Sequence, residues 1–409
     1  MGSKNYNPIE TIGDCVLKVV CSLHLYLKHP EYPESSLSKV RANLVSNNNL
    51  AQISDSEGLP LFLCGVAPPI TKYRPPYFKG AIPNETSWTI RDLPTKIKAD
   101  VLESIIGAFY LGHGLYDAAS LIYKLKILEQ SMAEQTLQYF NDSGLGHFDA
   151  KSFSGVMTIS ELMNSRFRST PQDLYDLCDL FPYEFENIGL LRLAFTHRSS
   201  GEVHYDKLEF IGDAILDLVV LSSLFTLSFD LTSNELSMIK HTLVKNSTLG
   251  KLSVLMSLPT FLVASEDVKS SCQESIACLD WTENLIEFGS GKDDPFKVLG
   301  DLYESLIGAI LVDSKSMYIT LEIVADWMKL FFMYILDNRD KIEQNIKGRV
   351  ENWCVGQGKT MRFKRSESDN QFQCEIYCGD DLLASDSALT KTLAEKNTVI
   401  KAFNKIINK

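Results

Sequence analysis

Long apolar runs, paired cysteines and an excess of basic charge are all missing from this chain. The longest apolar stretch, Ala214 to Phe229, is interrupted by Asp217. It falls short of the roughly 20 residues that a bilayer-spanning helix needs, so no membrane association is expected. The nine cysteines, at 15, 21, 64, 178, 272, 278, 354, 374 and 378, never take the C-x-x-C spacing of a zinc site. Their scatter points to reduced thiols and an intracellular setting, cytoplasmic or nuclear. Met1-Gly2-Ser3 leads into no apolar core, and Tyr6 stands where a myristoylation signal needs Ser or Thr. The net charge of −12 on its face argues against a polyphosphate partner. With 409 residues, 45% hydrophobic and 22% charged, the chain has the composition of a globular protein with room for two or three cored domains.

What the chain does have is a matched set of acidic signatures, each present twice. Ile9-Glu10-Thr11-Ile12-Gly13-Asp14 is echoed by Leu208-Glu209-Phe210-Ile211-Gly212-Asp213. Ala99-Asp100-Val101-Leu102-Glu103-Ser104-Ile105-Ile106-Gly107-Ala108 is echoed by Gly300-Asp301-Leu302-Tyr303-Glu304-Ser305-Leu306-Ile307-Gly308-Ala309. Asp213 follows Asp14 by 199 residues and Asp301 follows Asp100 by 201. A repeat of that length is a duplicated domain and not a solenoid unit.

On a helix, positions i and i+4 share a face, so Glu10 with Asp14 and Glu209 with Asp213 form carboxylate pairs. Asp100 with Glu103 and Asp301 with Glu304 do the same at i, i+3. Two such pairs brought together repel, and their pKa values rise unless cations sit between them. Hard oxygen donors favour Mg²⁺ or Mn²⁺. Two ions per site, roughly 3.5 to 4 Å apart, suit in-line displacement at a phosphodiester. Bound ions would cancel these eight charges, so the global net charge says little about the binding face. One E-x-x-x-D on a helix is most often a solvated face. Four such pairs in matched tandem order call for a ligand.

Lys207-Leu208-Glu209-Phe210-Ile211-Gly212-Asp213-Ala214-Ile215-Leu216-Asp217 resembles the ribonuclease III signature, Ala194-Phe195-Thr196-His197-Arg198-Ser199 its opening motif, and Gly300 to Asp313 its closing helix. The first copy is similar to the first ribonuclease III domain of Dicer: Thr11 replaces the usual Phe, Lys18 follows, and Leu37-Ser38-Lys39-Val40-Arg41 and Val45 to Leu50 fit as well. The resemblance implies a mainly α-helical fold, with two tandem all-helical domains forming an intramolecular pseudo-dimer and a small α+β double-stranded-RNA-binding-like module behind them. It places the metal ligands at Glu10, Asp14, Asp100 and Glu103 in one site, and at Glu209, Asp213, Asp301 and Glu304 in the other. Lys96 and Lys297, four residues before the metal-binding aspartates, fall near the scissile phosphate. The implied reaction is Mg²⁺-dependent cleavage of double-stranded RNA, one strand per domain, giving 5′ phosphates and short 3′ overhangs for small-RNA production, with an RNA-binding accessory protein as a further partner. His197 reads as structural, since metal activation of water needs no histidine. Tyr26, Phe109, Phe225 and Tyr303 read as core.

The domains follow: residues 1–135 first ribonuclease III domain, 136–180 helical connector, 181–338 second domain, and 345–409 tail. The first copy begins eight residues before Ile9, without the opening motif of the second. We therefore expect a fragment, a truncated gene model or one part of a larger enzyme, lacking an N-terminal helix and the helicase and PAZ regions of a complete Dicer. Helical runs are expected at 12–27, 37–50, 98–111, 116–134, 208–225, 236–258, 298–312 and 316–336, with 51–92 a loop and 265–295 an acidic loop. Residues 341–409 hold twelve Lys+Arg against nine Asp+Glu. There Phe372, Cys374, Ile376 and Cys378 alternate as in a strand, and Leu389 to Ile407 form a last helix. Lys359, Arg362, Lys391 and Lys396 are candidate phosphate contacts, although Glu395 stands where the family places a Lys. Two other readings stay open: Drosha-like processing of hairpin RNA, and a non-catalytic RNA-binding scaffold.

Overall fold

The computed structural model describes residues 7–62, 93–141, 174, 177, 183–201, 203–227, 231, 233–277, 296–337, 346–368, 371–388 and 391–407. Two compact units divide the chain, Met1–Asp337 and Asn338–Lys409. Most of the 136–180 connector lies outside the described residues.

In the first copy, α1 (Asn7–Lys28) buries Val16, Val19, Val20 and Leu23 along the stripe that their spacing predicts. The expected helix 37–50 is instead two: α2 (Glu34–Leu44) and α3 (Asn47–Ser56). The break comes from Ser46, whose side chain accepts from the backbone N–H of Asn49 and so starts a new helix. A 3₁₀ turn (Leu59–Phe62) follows. Then come α4 (Thr95–His113), α5 (Leu115–Lys124) and α6 (Ala133–Gln138). Gly114, with φ of 87°, turns the chain from α4 into α5, a backbone conformation that glycine adopts without strain.

The second copy runs α7 (Ile188–Ala194), α8 (Asp206–Leu227), α9 (Ser233–Leu243), α10 (Asn246–Leu255), α11 (Glu266–Ala277), α12 (Lys297–Ser314) and α13 (Met317–Asp337). The expected helix 236–258 also breaks, between α9 and α10, where Thr248 Oγ1 donates to Thr242 O across the turn. Part of the expected acidic loop is α11, while 278–295 lie outside the described residues. Contrary to the expectation from sequence, α8 is long and apolar enough to cross a membrane by length and composition. It is nevertheless mostly buried, a core helix packed on α1, α12 and α13. Asp313 Oδ2 accepts from Tyr183 Oη and Glu186 N, and its Oδ1 accepts from Asn187 N. These bonds tie the entry of this copy to the end of α12.

The two copies share one arrangement. α1 packs on α4, α8 packs on α12, and α1 packs on α8, which joins the copies within one unit. Of the four aromatics expected in the core, Tyr303 is fully buried, while Phe109 is exposed on the outer face of α4. The tail is α14 (Ile346–Gly356), β1 (Met361–Ser368), β2 (Gln371–Cys378), β3 (Asp381–Ala388) and α15 (Lys391–Ile407). Its antiparallel sheet runs β1-β2-β3, with Met361 opposite Cys378. One face carries Cys374, Ile376 and Cys378, and Val350, Cys354, Leu383, Val399 and Ala402 join Ile376 and Cys378 in the tail's core.

Candidate metal centres

The acidic helices meet main chain to main chain. A Cβ on Gly13 would lie 1.9 Å from Glu103 O, and one on Gly107 2.1 Å from Ile9 O. In the second copy the corresponding distances are 1.8 Å from Gly212 to Glu304 O and 2.1 Å from Gly308 to Leu208 O. Only glycine permits this approach, and it brings the glutamate of one helix over the D-x-x-E of the other. Carboxylate oxygens of Glu10, Asp100 and Glu103 lie within 4.8 Å of one another, as do those of Glu209, Asp301 and Glu304. Asp100, Glu103, Asp301 and Glu304 are buried.

A lysine rests on each cluster. Lys96 Nζ is 2.8 Å from Asp100 Oδ1 and 3.6 Å from Glu10 Oε1. Lys297 Nζ is 2.7 Å from Asp301 Oδ1 and 3.1 Å from Glu209 Oε1. One ammonium cannot neutralise three carboxylates, and the excess charge shows in their protonation. Burial, then Asp14, Glu10 and Asp100, push Glu103 up to about 8. Burial and Asp301 push Glu209 up to about 7, and Glu304 is raised well above the ordinary glutamate value, by burial first and then by Asp213 and Asp301. Crowded, buried, all-oxygen donors of this kind fit a hard divalent cation.

Asp14 and Asp213 stand beside these triads, outside either set of mutually close oxygens. Each is near enough to raise the glutamate of its own centre, Glu103 or Glu304. Each also faces cations from the other copy. Lys18 Nζ is 2.9 Å from Asp213 Oδ2, and Arg41 NH2 is 3.8 Å from the same oxygen. Burial raises Asp14, while Lys240 of the other copy and Lys18 of its own oppose that rise, although the residue itself is exposed at the surface. Sequence reasoning missed these cations as site neighbours. The signal was present, because Arg41 and Lys240 occupy equivalent positions in Leu37-Ser38-Lys39-Val40-Arg41 and Leu236-Ser237-Met238-Ile239-Lys240. Tyr205, also missed, donates to Asp301 Oδ2 at 3.4 Å.

His197 does local work. Its Nδ1 accepts from the backbone N–H of Ser199 at 3.1 Å, capping a short turn, and burial lowers its pKa. In the tail, Lys359 pairs with Asp381 and Arg362 with Asp380, while Lys391 is exposed. The Lys396 side chain lies outside the described residues. Glu395 accepts from Arg365 Nε at 2.6 Å, so the departure from the family's lysine is answered by a local ion pair.

The raised glutamates set the pH dependence of metal-free stability. The folded state holds protons that unfolded glutamate loses near its ordinary value of 4.5. This contribution is therefore fully present below pH ~4.5 and is lost as pH rises through the folded values of about 7 and about 8. A divalent ion displaces those protons. Melting in Mg²⁺ against EDTA should show a stabilisation that grows from about pH 6 to about pH 8.5; equal shifts at both pH values would contradict the assignment.

A model of the Ribonuclease III domain matches residues 8–114 and 206–315. The Dicer-like protein 2 of Phaeosphaeria nodorum is 26% identical over 93% of this chain and 29% of its own length. Protein Dicer of Schizosaccharomyces pombe is 29% identical over 76% of this chain and 22% of its own length. The Endoribonuclease Dicer homolog 1 of Arabidopsis thaliana is 26% identical over 91% of this chain and 20% of its own length. The chain thus spans less than a third of the length of these relatives. Among solved structures, the nuclease domain of ribonuclease III from Campylobacter jejuni is 28% identical, with a TM-score of 0.31, covering 39% of this chain and 99% of that one. Dicer from Giardia intestinalis is 14% identical, with a TM-score of 0.44, covering 79% of this chain and 54% of that one.

Proposed function

Because this chain belongs to the ribonuclease III family and carries two of its domains in one polypeptide, we propose that it is a Dicer-type endoribonuclease that hydrolyses double-stranded RNA, one strand per domain. The observation that carries this reading is the completeness of both acidic triads, one in each half of a single compact unit. A scaffold that had abandoned catalysis would have no use for eight carboxylates, six of them in mutually close triads. Cuts on opposite strands across the minor groove leave 5′ phosphates and short 3′ overhangs, the products from which small RNAs are made. A-form RNA presents 2′-hydroxyls along a wide, shallow minor groove, so its shape and not its sequence is recognised.

Mg²⁺ or Mn²⁺, two per site, is the cofactor the donor set fits, with Glu10, Asp100 and Glu103 or Glu209, Asp301 and Glu304 holding it beside Asp14 or Asp213. When bound, such ions polarise the phosphate and activate the attacking water. The chain's own groups do the rest. Lys96 and Lys297, more than half exposed at the cluster rim, are free to turn from carboxylate to phosphate once the cluster charge is neutralised, and to stabilise the charge that develops there. Asp213 is held in place by Lys18 and Arg41 of the opposite copy. The tail, with Lys359, Arg362 and Glu395 already engaged in ion pairs, adds little independent RNA affinity.

Long duplex RNA incubated with the protein and Mg²⁺, and resolved on native and denaturing gels, tests this function. Duplex fragments with staggered ends are expected. Binding without cleavage would replace this reading with the scaffold, and cleavage confined to hairpin precursors would favour Drosha-like processing.

A further inference from the structure

The surface where the two copies meet is not symmetric. Lys18 and Asp217 occupy the same position of α1 and α8, 199 residues apart, and they pair with each other: Lys18 Nζ is 2.6 Å from Asp217 Oδ2. Lys240 adds a second contact to the same oxygen at 3.1 Å. Burial alone would raise Asp217, but Lys18 and Lys240 outweigh it and hold the carboxyl below the usual aspartate range.

The charges at this junction balance only in the mixed pair. The first copy contributes Asp14, Lys18 and Arg41, and the second contributes Asp213, Asp217 and Lys240. Three cations then meet three carboxylates. Two copies of the first surface would face each other with two positive charges in excess, and two copies of the second with two negative charges in excess. Partly buried like charges at such a junction are costly, because little water screens them.

A second contact, with different chemistry, shows the same asymmetry. Tyr110 of α4 and Ser222 of α8 share a buried hydrogen bond of 2.8 Å across the junction. Their equivalents in the opposite copies are Leu311 and Leu23, both fully buried. A pairing of the first surface with itself would set the Tyr110 hydroxyl against Leu23 and leave it without a partner, and the second surface would likewise set Ser222 against Leu311. An unsatisfied buried hydroxyl disfavours both.

We propose that the Lys18–Asp217 pair, seconded by Tyr110–Ser222, makes each domain selective for the other and unfit to pair with a second copy of itself. The partner this surface fits is therefore the other domain, in which the equivalent position carries the opposite charge. The proposal does not rest on RNA cleavage, since melting of the full chain reads it directly.

The test uses the full chain with Lys18→Asp, Asp217→Lys and the two combined. Each single change puts like charges together and should lower the first melting transition by roughly 5 °C or more. The double swap restores an attractive pair and overall balance. It should recover more than half of that loss, although the exchanged carboxylate then faces Asp213 and the exchanged ammonium faces Lys240. A double variant that melts no higher than the weaker single would overturn the proposal, as would single variants that melt like the wild type. If a single variant does not fold at all, the double variant still decides: recovery of a cooperative transition supports the code, and its absence refutes it.

Discussion

On the proposed function, Glu304→Gln should leave duplex RNA nicked where the wild type severs it. Glu304 is a buried member of the second triad, with its oxygens within reach of those of Glu209 and Asp301. An amide of the same size removes one anionic ligand and leaves a neutral group in its place. Loss of a divalent ion that supplies several kcal/mol to the transition state slows the affected strand by about 10³-fold or more. The first domain retains Glu10, Asp100 and Glu103, so the opposite strand is still cut. With each strand labelled separately, Glu304→Gln and Glu103→Gln should protect opposite strands, and native gels should show intact duplex in both cases. Asp14→Asn and Asp213→Asn should likewise each spare one strand. Normal double-strand breaks in any of these variants would refute the assignment of one site to one strand. Misfolding is not the expected cause, because glutamine matches the size of glutamate and brings no charge into the crowded, buried cluster. Without metal at about pH 8, Glu304→Gln should melt no lower than the wild type.

Gly212→Ala is expected to cost more stability than any conservative change on the surface. Its Cβ would lie 1.8 Å from Glu304 O and 2.6 Å from the carbonyl carbon. These are main-chain atoms in the middle of α12, which cannot swing aside as a side chain would, so α8 and α12 must separate. Overpacking that moves backbone costs about 3 kcal/mol or more, near the top of the range for single substitutions. Gly112→Ala is the control: it lies in α4 with nothing within 4 Å of its Cβ, so alanine should be neutral or stabilise by a few tenths to about 1 kcal/mol. Thermal melts of the two variants give the comparison directly. If Gly212→Ala melts with the wild type, the close crossing is wrong.

The helices that carry the signatures could be read from the sequence because two independent patterns agreed there. Val16, Val19, Val20 and Leu23 mark a buried face, and the carboxylates recur with the same spacing on both copies. The breaks at Ser46 and between Val244 and Asn246 could not be read from periodicity, because the apolar pattern continues across them and only the capping and turn hydrogen bonds reveal the stop. α11 was hidden by its polarity: among its described side chains only Cys272 and Ser275 are buried. Within the site, helix spacing paired the carboxylates on each helix, and the matched tandem order and the family resemblance joined the pairs into sets. The positions of Asp14 and Asp213, between triad and junction, could not be read this way. They depend on how two distant copies pack, and one-dimensional spacing does not carry that information. Lys18 was visible as a mark of the Dicer-like first copy, but its role appears only when Asp217 stands opposite.

The glycine crossings have an effect on how such a chain can change over generations. Since the helices touch through their main chains, the distance between the ligand-bearing turns is inherited from the backbone and not from the residues that fill the rest of each helix. The two copies already differ widely along those helices: Cys15 corresponds to Ala214, Cys21 to Val220, His24 to Ser223 and Tyr110 to Leu311. In both copies the three carboxylates nevertheless bring an oxygen each within 4.8 Å of the others. Drift in the surrounding core is therefore nearly silent at the acidic centres, and the four glycines are the positions where a small mutational step would be felt at once.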